Sequence, residues 1–165
     1  MKTLILVRHA KSSWDEPNLA DYERKLNNRG LRDAPFMGAK IKEKNVKPDL
    51  ILSSPAVRAF KTACFFAEAL DYPIENIVKK ELIYEKGPRD ILNMINQQDD
   101  NLQTIMLFGH NPDLSTLTHY LCDFTEGNLP TCGTVCIDFN TDSWVNVGDE
   151  KGKLRFYESP KKYFS

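Results

Sequence analysis

The chain has 165 residues, 41% of them hydrophobic and 27% charged, with a formal net charge of −1. That length suits one domain over residues 1–165 with a core of its own. The near-neutral balance gives no basis for binding nucleic acid or membranes by bulk electrostatics. The cysteines at 64, 122, 132 and 136 form no CxxC pair and match no zinc spacing. The expectation is therefore reduced thiols in a cytoplasmic setting, with no metal.

Taken in chain order, Thr3–Val7 is a continuous run of β-branched residues and leucine, the pattern of a strand buried on both faces. It is too short for a signal-peptide core of about 7–15 residues, and nowhere does an apolar run approach the roughly 18 residues of a membrane span. The strand ends in Arg8–His9. Residues 15–27 are polar and of mixed charge and read as a surface loop. From Asn28 to about Asn45, Leu31, Ala34, Met37, Gly38 and Ile41 recur at helical spacing, with Pro35 as an objection.

After a break at Lys47–Asp49, Leu50–Leu52 is a second short strand. Ser53–Ser54–Pro55 then reads as a helix start, with a capping hydroxyl and a proline in the first turn. That helix runs to about Leu70, with Val57, Phe60, Ala63, Cys64, Ala67 and Leu70 on its apolar side. Ile74–Val78 is a third strand candidate and Pro88–Gln97 a short helix. Thr104–Phe108 is a fourth strand, ended by Gly109–His110–Asn111–Pro112, and a helix follows over 113–122. Thr134–Phe139 and Leu154–Tyr157 complete the strands, joined by a hairpin-like turn over 141–152. The alternation of strand and helix predicts a three-layer α/β/α sandwich with a mostly parallel central sheet.

In open α/β sheets, ligands bind at the carboxyl ends of the strands. Here the first strand ends in Arg8–His9, the second in Ser53–Ser54–Pro55 with Arg58 one turn further on, and the fourth in Gly109–His110. Parallel packing would bring two arginines and two histidines together. Two guanidiniums offer forked donors suited to a phosphate dianion, and a helix starting near Pro55 would aim its positive end the same way. A neutral imidazole can attack phosphorus, and neighbouring cations hold it neutral. They also stabilise charge on the transferring phosphoryl group. The third histidine, His119, falls inside a helix and reads as structural.

Other phosphatase chemistries leave no trace. No cysteine is followed six positions later by arginine, and no DxDx[TV], GxxxxGK[ST] or HExxH stretch occurs.

VRHAKSSW, SSPAVRAFKTA and LFGHNPDLS, in that order, resemble the histidine phosphatase superfamily, the phosphoglycerate-mutase-like group. The short chain, the Arg–His–Ala variant and GHNP are most similar to its SixA-type phosphohistidine phosphatases. Arg24–Gly30 (RKLNNRG) also resembles that subgroup's RPLxxRG stretch, with Lys25 where proline is usual. The resemblance runs from about residue 3 to 158. It implies that His9 accepts the phosphoryl group and that Arg8, Arg58, His110 and Ser12 form the phosphate pocket. It implies no cofactor.

The resemblance leaves the general acid open: Glu81, Glu85, Asp15 or none, with Glu85 preferred. Asp15 stands where relatives often carry asparagine, and a carboxylate there would repel phosphate. Asn111 occupies the place where the acid-phosphatase branch carries an aspartate. The implied activity is a metal-independent phosphatase. Its phosphorylated substrate would be a phosphohistidine-bearing protein, because a short chain without long insertions suggests an open site. A small-molecule phosphomonoesterase and a non-catalytic phospho-ligand binding module are the alternatives; a mutase fits the short chain less well.

Overall fold

The computed structural model describes residues 1–164. β1 (Lys2–Arg8) forms where the Thr3–Val7 run predicts it, and every residue from Lys2 to Val7 is buried. It lies inside a six-stranded sheet ordered β3-β2-β4-β1-β5-β6, with β2 spanning Leu50–Ser53, β3 Val78–Lys79, β4 Thr104–Gly109, β5 Thr134–Phe139 and β6 Lys153–Glu158. β1, β2, β3 and β4 run parallel, while on one side β5 pairs antiparallel with β1 and β6 antiparallel with β5. The sheet is thus mostly parallel, with helices on both faces.

The pleat sorts the side chains into two cores. Leu4 and Leu6 of β1 face a cluster with Ile91 and Ile95 of α4 (Pro88–Asn96) and Leu114, Leu117 and Leu121 of α5 (Asp113–Leu121). Ile5 and Val7 face the other way, against Met37 and Ile41 of α1 (Asn28–Lys42) and Ala63 and Phe66 of α2 (Val57–Ala69). Each such aliphatic side chain contributes roughly 1.5–3 kcal/mol by leaving water.

Several expectations are corrected in detail. α1 passes through Pro35 without ending. The proline stands on the exposed side, where the carbonyl it leaves unbonded can meet water. Its buried stripe is Gly30, Asp33, Ala34, Met37, Gly38 and Ile41, so Leu31 is 44% exposed rather than inward. On α2, Val57 is likewise 37% exposed, and the buried face includes the polar Arg58 and Thr62. α2 begins at Val57, later than the Ser–Ser–Pro stretch suggests, and has no side-chain cap.

The third strand shrinks to Val78–Lys79, preceded by a 3₁₀ turn over Ile74–Asn76. It is an edge strand, where short pairing is tolerated. Three further elements had no counterpart in the expectations: 3₁₀ turns at Asp21–Glu23 and Pro160–Lys162 and a short helix, α3 (Glu81–Glu85). The 141–152 connection is more than a turn. It contains a 3₁₀ segment whose Trp144 is fully buried, its indole N–H donating to the Leu102 carbonyl at 2.8 Å.

Candidate active site

Registry places the strand ends together. Arg8 pairs with Gly109 across β1 and β4, and Ser53 pairs with Phe108 across β2 and β4. The ladder runs one step beyond β1: the His9 N–H donates to the Gly109 carbonyl at 3.0 Å. His9, Arg58 and His110 therefore meet at the carboxyl edge, as the parallel topology requires. A cavity of about 220 Å³ there is lined by Arg8, His9, Lys11, Ser12, Trp14, Arg24, Arg58, His110, Asn111 and Thr131.

His9 is 7% exposed and lies beside His110, with ring centroids 5.3 Å apart. Its Nδ1 is 2.7 Å from the Ala10 carbonyl oxygen. A carbonyl only accepts, so Nδ1 carries the proton and Nε2 keeps its lone pair. Burial, and then the neighbouring His110, Arg58 and Arg8, which disfavour a second positive charge, push the imidazole down to about 3 against the opposing Ala10 hydrogen bond. His110 is also pushed down, to about 4, by burial and by Arg58. Both rings are thus neutral at physiological pH.

The arginines are held in different ways. Arg8 donates from Nη1 to the Leu129 carbonyl at 2.9 Å, and burial lowers its pKa. Arg58, 5% exposed, donates from Nη1 to the Asp21 carbonyl at 2.6 Å and from Nη2 to Asp21 Oδ2 at 2.9 Å. In each case Nε is buried without a partner, and so is His110 Nδ1. Buried polar groups are nearly always paired. Among the described residues four are not, and of these Asp33 Oδ2 stands apart; the other three, all donors on residues of one cavity, are what a site for an anion with several acceptor oxygens looks like.

Ser54 explains the uncapped start of α2. Its hydroxyl accepts from the Ala56 N–H at 3.2 Å and meets His110 Nε2 at 2.8 Å. The serine expected to cap the helix instead orients the second histidine. Thr62 ties α2 to the loop after β1, accepting from the Ala10 N–H at 3.0 Å. Ser12 lines the cavity and accepts from Arg24 Nη1 at 2.8 Å.

The two glutamates singled out as proton donors lie elsewhere. Glu81 and Glu85 sit at the ends of α3, both exposed, and neither lines the cavity. Glu81 accepts from the Tyr22 hydroxyl at 3.5 Å. Asp15 is exposed in a neighbouring hollow with Ser13, Asn27, Asn28 and Arg29. His119 is on the surface, bonded to the Gly127 carbonyl at 2.9 Å.

Sequence reasoning missed Asp21. Its carboxylate takes Arg58 Nη2, Arg24 Nε at 3.1 Å and the Tyr84 hydroxyl at 2.8 Å. The Tyr84 and Arg58 hydrogen bonds outweigh its partial burial and hold the carboxyl down at about 2. Arg24, Lys11 and Trp14 appear in the sequence only inside motifs, Asn111 was noted only as the replacement for an aspartate, and Thr131 carries no signal of its own. The one available hint was Asp21 three residues before Arg24, a spacing that lets the two pair across a turn. Among the described residues, no three His, Cys, Asp or Glu side chains cluster in a way that would hold a metal ion.

A mostly parallel α/β sheet that gathers two neutral histidines and two arginines around one cavity at its carboxyl edge is suited to handling phosphoryl groups. The sequence profile of the histidine phosphatase superfamily (branch 1) matches residues 4–83. An uncharacterised protein of Mycobacterium tuberculosis (strain CDC 1551 / Oshkosh) is 31% identical over 135 residues, covering 82% of each chain. Phosphoglycerate mutase 1 of Saccharomyces cerevisiae is 32% identical over 66% of this chain, which spans only 43% of that longer protein.

Among solved structures, a candidate phosphohistidine phosphatase SixA from Agrobacterium tumefaciens superposes with a TM-score of 0.81 at 26% identity, covering 96% of this chain and 98% of that one. The protein histidine phosphatase SixA complexed with tungstate has the same fold, with a TM-score of 0.76 at 18% identity over 97% of this chain and 98% of that one. The chain belongs to the histidine phosphatase superfamily, and it is a phosphatase.

Proposed function

We propose that this phosphatase works without a metal, through a phosphoryl group carried on His9, and that its substrate is phosphohistidine on a protein. The carrying observation is the His9 Nδ1–Ala10 carbonyl bond, which leaves the Nε2 lone pair available in a cavity of cationic donors. Nε2 attacks phosphorus, the His9 N–P bond forms, and the bond from phosphorus to the leaving nitrogen breaks. Arg8 and Arg58 offer their unpartnered Nε–H groups, and His110 its Nδ1–H, to the phosphoryl oxygens. Ser54, donating its hydroxyl proton to Nε2, would keep His110 in that tautomer. Water then attacks phosphorus, the His9 N–P bond breaks, and phosphate leaves with His9 neutral again.

The substrate class follows from proton supply. No carboxylate is among the residues lining the cavity, and Asp21, held at about 2, is ionised. An alkoxide leaving group needs a positioned acid. The leaving imidazole of phosphohistidine has a second ring nitrogen that takes a proton from water, so it departs without one. The likeness to SixA-type structures supports the same reading.

The test is phosphate release from a phosphohistidine peptide, with and without a chelator, together with trapping of acid-labile labelled enzyme. Turnover that survives chelation and vanishes in His9→Asn, with label on His9, is expected. Tight phosphate binding with no label and no turnover would instead mark a binding module. Faster turnover of alkyl phosphates than of phosphohistidine would move the substrate to small phosphomonoesters.

A further inference from the structure

Trp14 is the most exposed large apolar side chain of the described residues, at 72%, yet it is one of the residues lining the cavity around His9. One side of its indole is occupied: the Arg24 guanidinium carbon stands 3.6 Å from a ring centroid. That arginine is not a loose surface group. It is 8% exposed, held by Asp21 Oδ1 at 3.1 Å and Ser12 Oγ at 2.8 Å, and Asp21 in turn holds Arg58. The strand-like bridge between Ser12 and Leu26, and the Ser13 N–H bond to the Lys25 carbonyl at 2.8 Å, brace the same loop. An aromatic plane is thus anchored, through Arg24, to the hydrogen-bond network of the site, with its other side open to water.

Resting on the function proposed above, we infer that the open side of Trp14 is the leaving-group platform, a subsite for a flat ring bonded directly to phosphorus. In-line attack by His9 Nε2 expels the leaving group from the opposite side of the phosphorus. His9 is buried and Trp14 exposed in the lining of one cavity, so a group departing on the side away from His9 leaves past the solvent-exposed part of that lining, where Trp14 stands. An imidazole there can stack on the indole, and the guanidinium behind holds the indole flat. A stacked aromatic pair gives a roughly three- to tenfold gain in affinity. An alkyl group offers no such plane. The preferred substrates are therefore phosphoimidazoles and aryl phosphates.

Phenylphosphonate and methylphosphonate carry the same anion and resist hydrolysis. Calorimetric titration of the wild type should show phenylphosphonate binding roughly three- to tenfold more tightly. In Trp14→Ala that ratio should fall to near one, and Trp14→Phe should restore most of it. Trp144, the other tryptophan, is fully buried, so a change in intrinsic emission on adding phenylphosphonate reports on Trp14. A ratio that survives in Trp14→Ala, or no emission change at saturation, overturns the platform. These are binding measurements, so they stand whether or not His9 turns over. An absent His9 phosphoenzyme overturns the catalytic reading alone.

Discussion

Two hollows on this molecule differ instructively. The groove between α4 and α5, lined by Pro88, Arg89, Leu92, Thr116, Leu117 and Tyr120, is the larger at about 330 Å³. The cavity at the strand ends is about 220 Å³. None of the groove's residues carries an unpartnered buried polar atom, whereas the smaller cavity has three such residues, Arg8, Arg58 and His110. Size is a default guide to binding sites, but hydration decides the chemistry here. Donors buried without partners have given up water for something the fold does not itself supply.

The largest expected contrast between the two hollows is in turnover. His9→Asn should reduce phosphate release at least about a thousandfold, as loss of a covalent nucleophile does. Leu92→Ala, in the α4–α5 groove, should leave kcat within about twofold. Comparable losses in both would erase the distinction. Next, Arg58→Ala should cost roughly 10²–10³ in kcat, the usual effect of removing one charge-stabilising donor. Asp21→Asn, acting through Arg58 and Arg24, should cost less, about tenfold, with Arg58→Lys failing to rescue Arg58→Ala because a lysine cannot fork. Glu85→Gln should retain near-wild-type kcat and an unchanged pH profile, since Glu85 lies outside the cavity.

Acid stability sharpens the same comparison. His9 and His110 sit at about 3 and about 4 in the fold, against 6.5 when unfolded. Between those values the unfolded chain takes up protons that the native state refuses. Stability is therefore full above about pH 6.5 and falls as pH drops toward 3–4. At about 1.4 kcal/mol per unit, the loss by pH 5 is on the order of a few kcal/mol. Urea titrations at pH 7 and pH 5 should show it, and His9→Asn/His110→Asn should flatten it. Saturating phosphate should oppose the loss, because a bound anion favours the imidazolium. The smallest effect concerns the loop itself. A Cβ on Gly30 would lie 2.2 Å from the Lys11 carbonyl oxygen. Gly30→Ala should thus displace the segment bearing Ser12 and raise KM several-fold with less effect on kcat.

The strands were legible because each is a local apolar run, and β1, β4 and β5 match their predicted spans to within a residue or two. Arg8–His9, Arg58 and His110 were legible for a related reason: strand ends in a parallel sheet share an edge, so adjacency in space follows from order in the chain. Boundaries failed where a polar side chain had a distant use. Ser54 was read as a cap from its neighbours, yet its partner His110 is 56 residues away. The apolar face assigned to α2 included Val57 and left out Arg58, because hydropathy cannot register a buried cation that a carboxylate from another segment neutralises.

The sequence alone thus determined the layered architecture and the gathering of Arg8, His9, Arg58 and His110 at one edge, because burial and parallel order are written in short-range pattern. Only the tertiary structure decided the rest. It folds Asp21 back onto Arg58 and Arg24, sets Trp14 on the rim, and leaves Glu85 outside. Ion pairs and stacking depend on where an irregular loop returns. Many side chains scattered through the chain act together to set that path, and no local spacing records it.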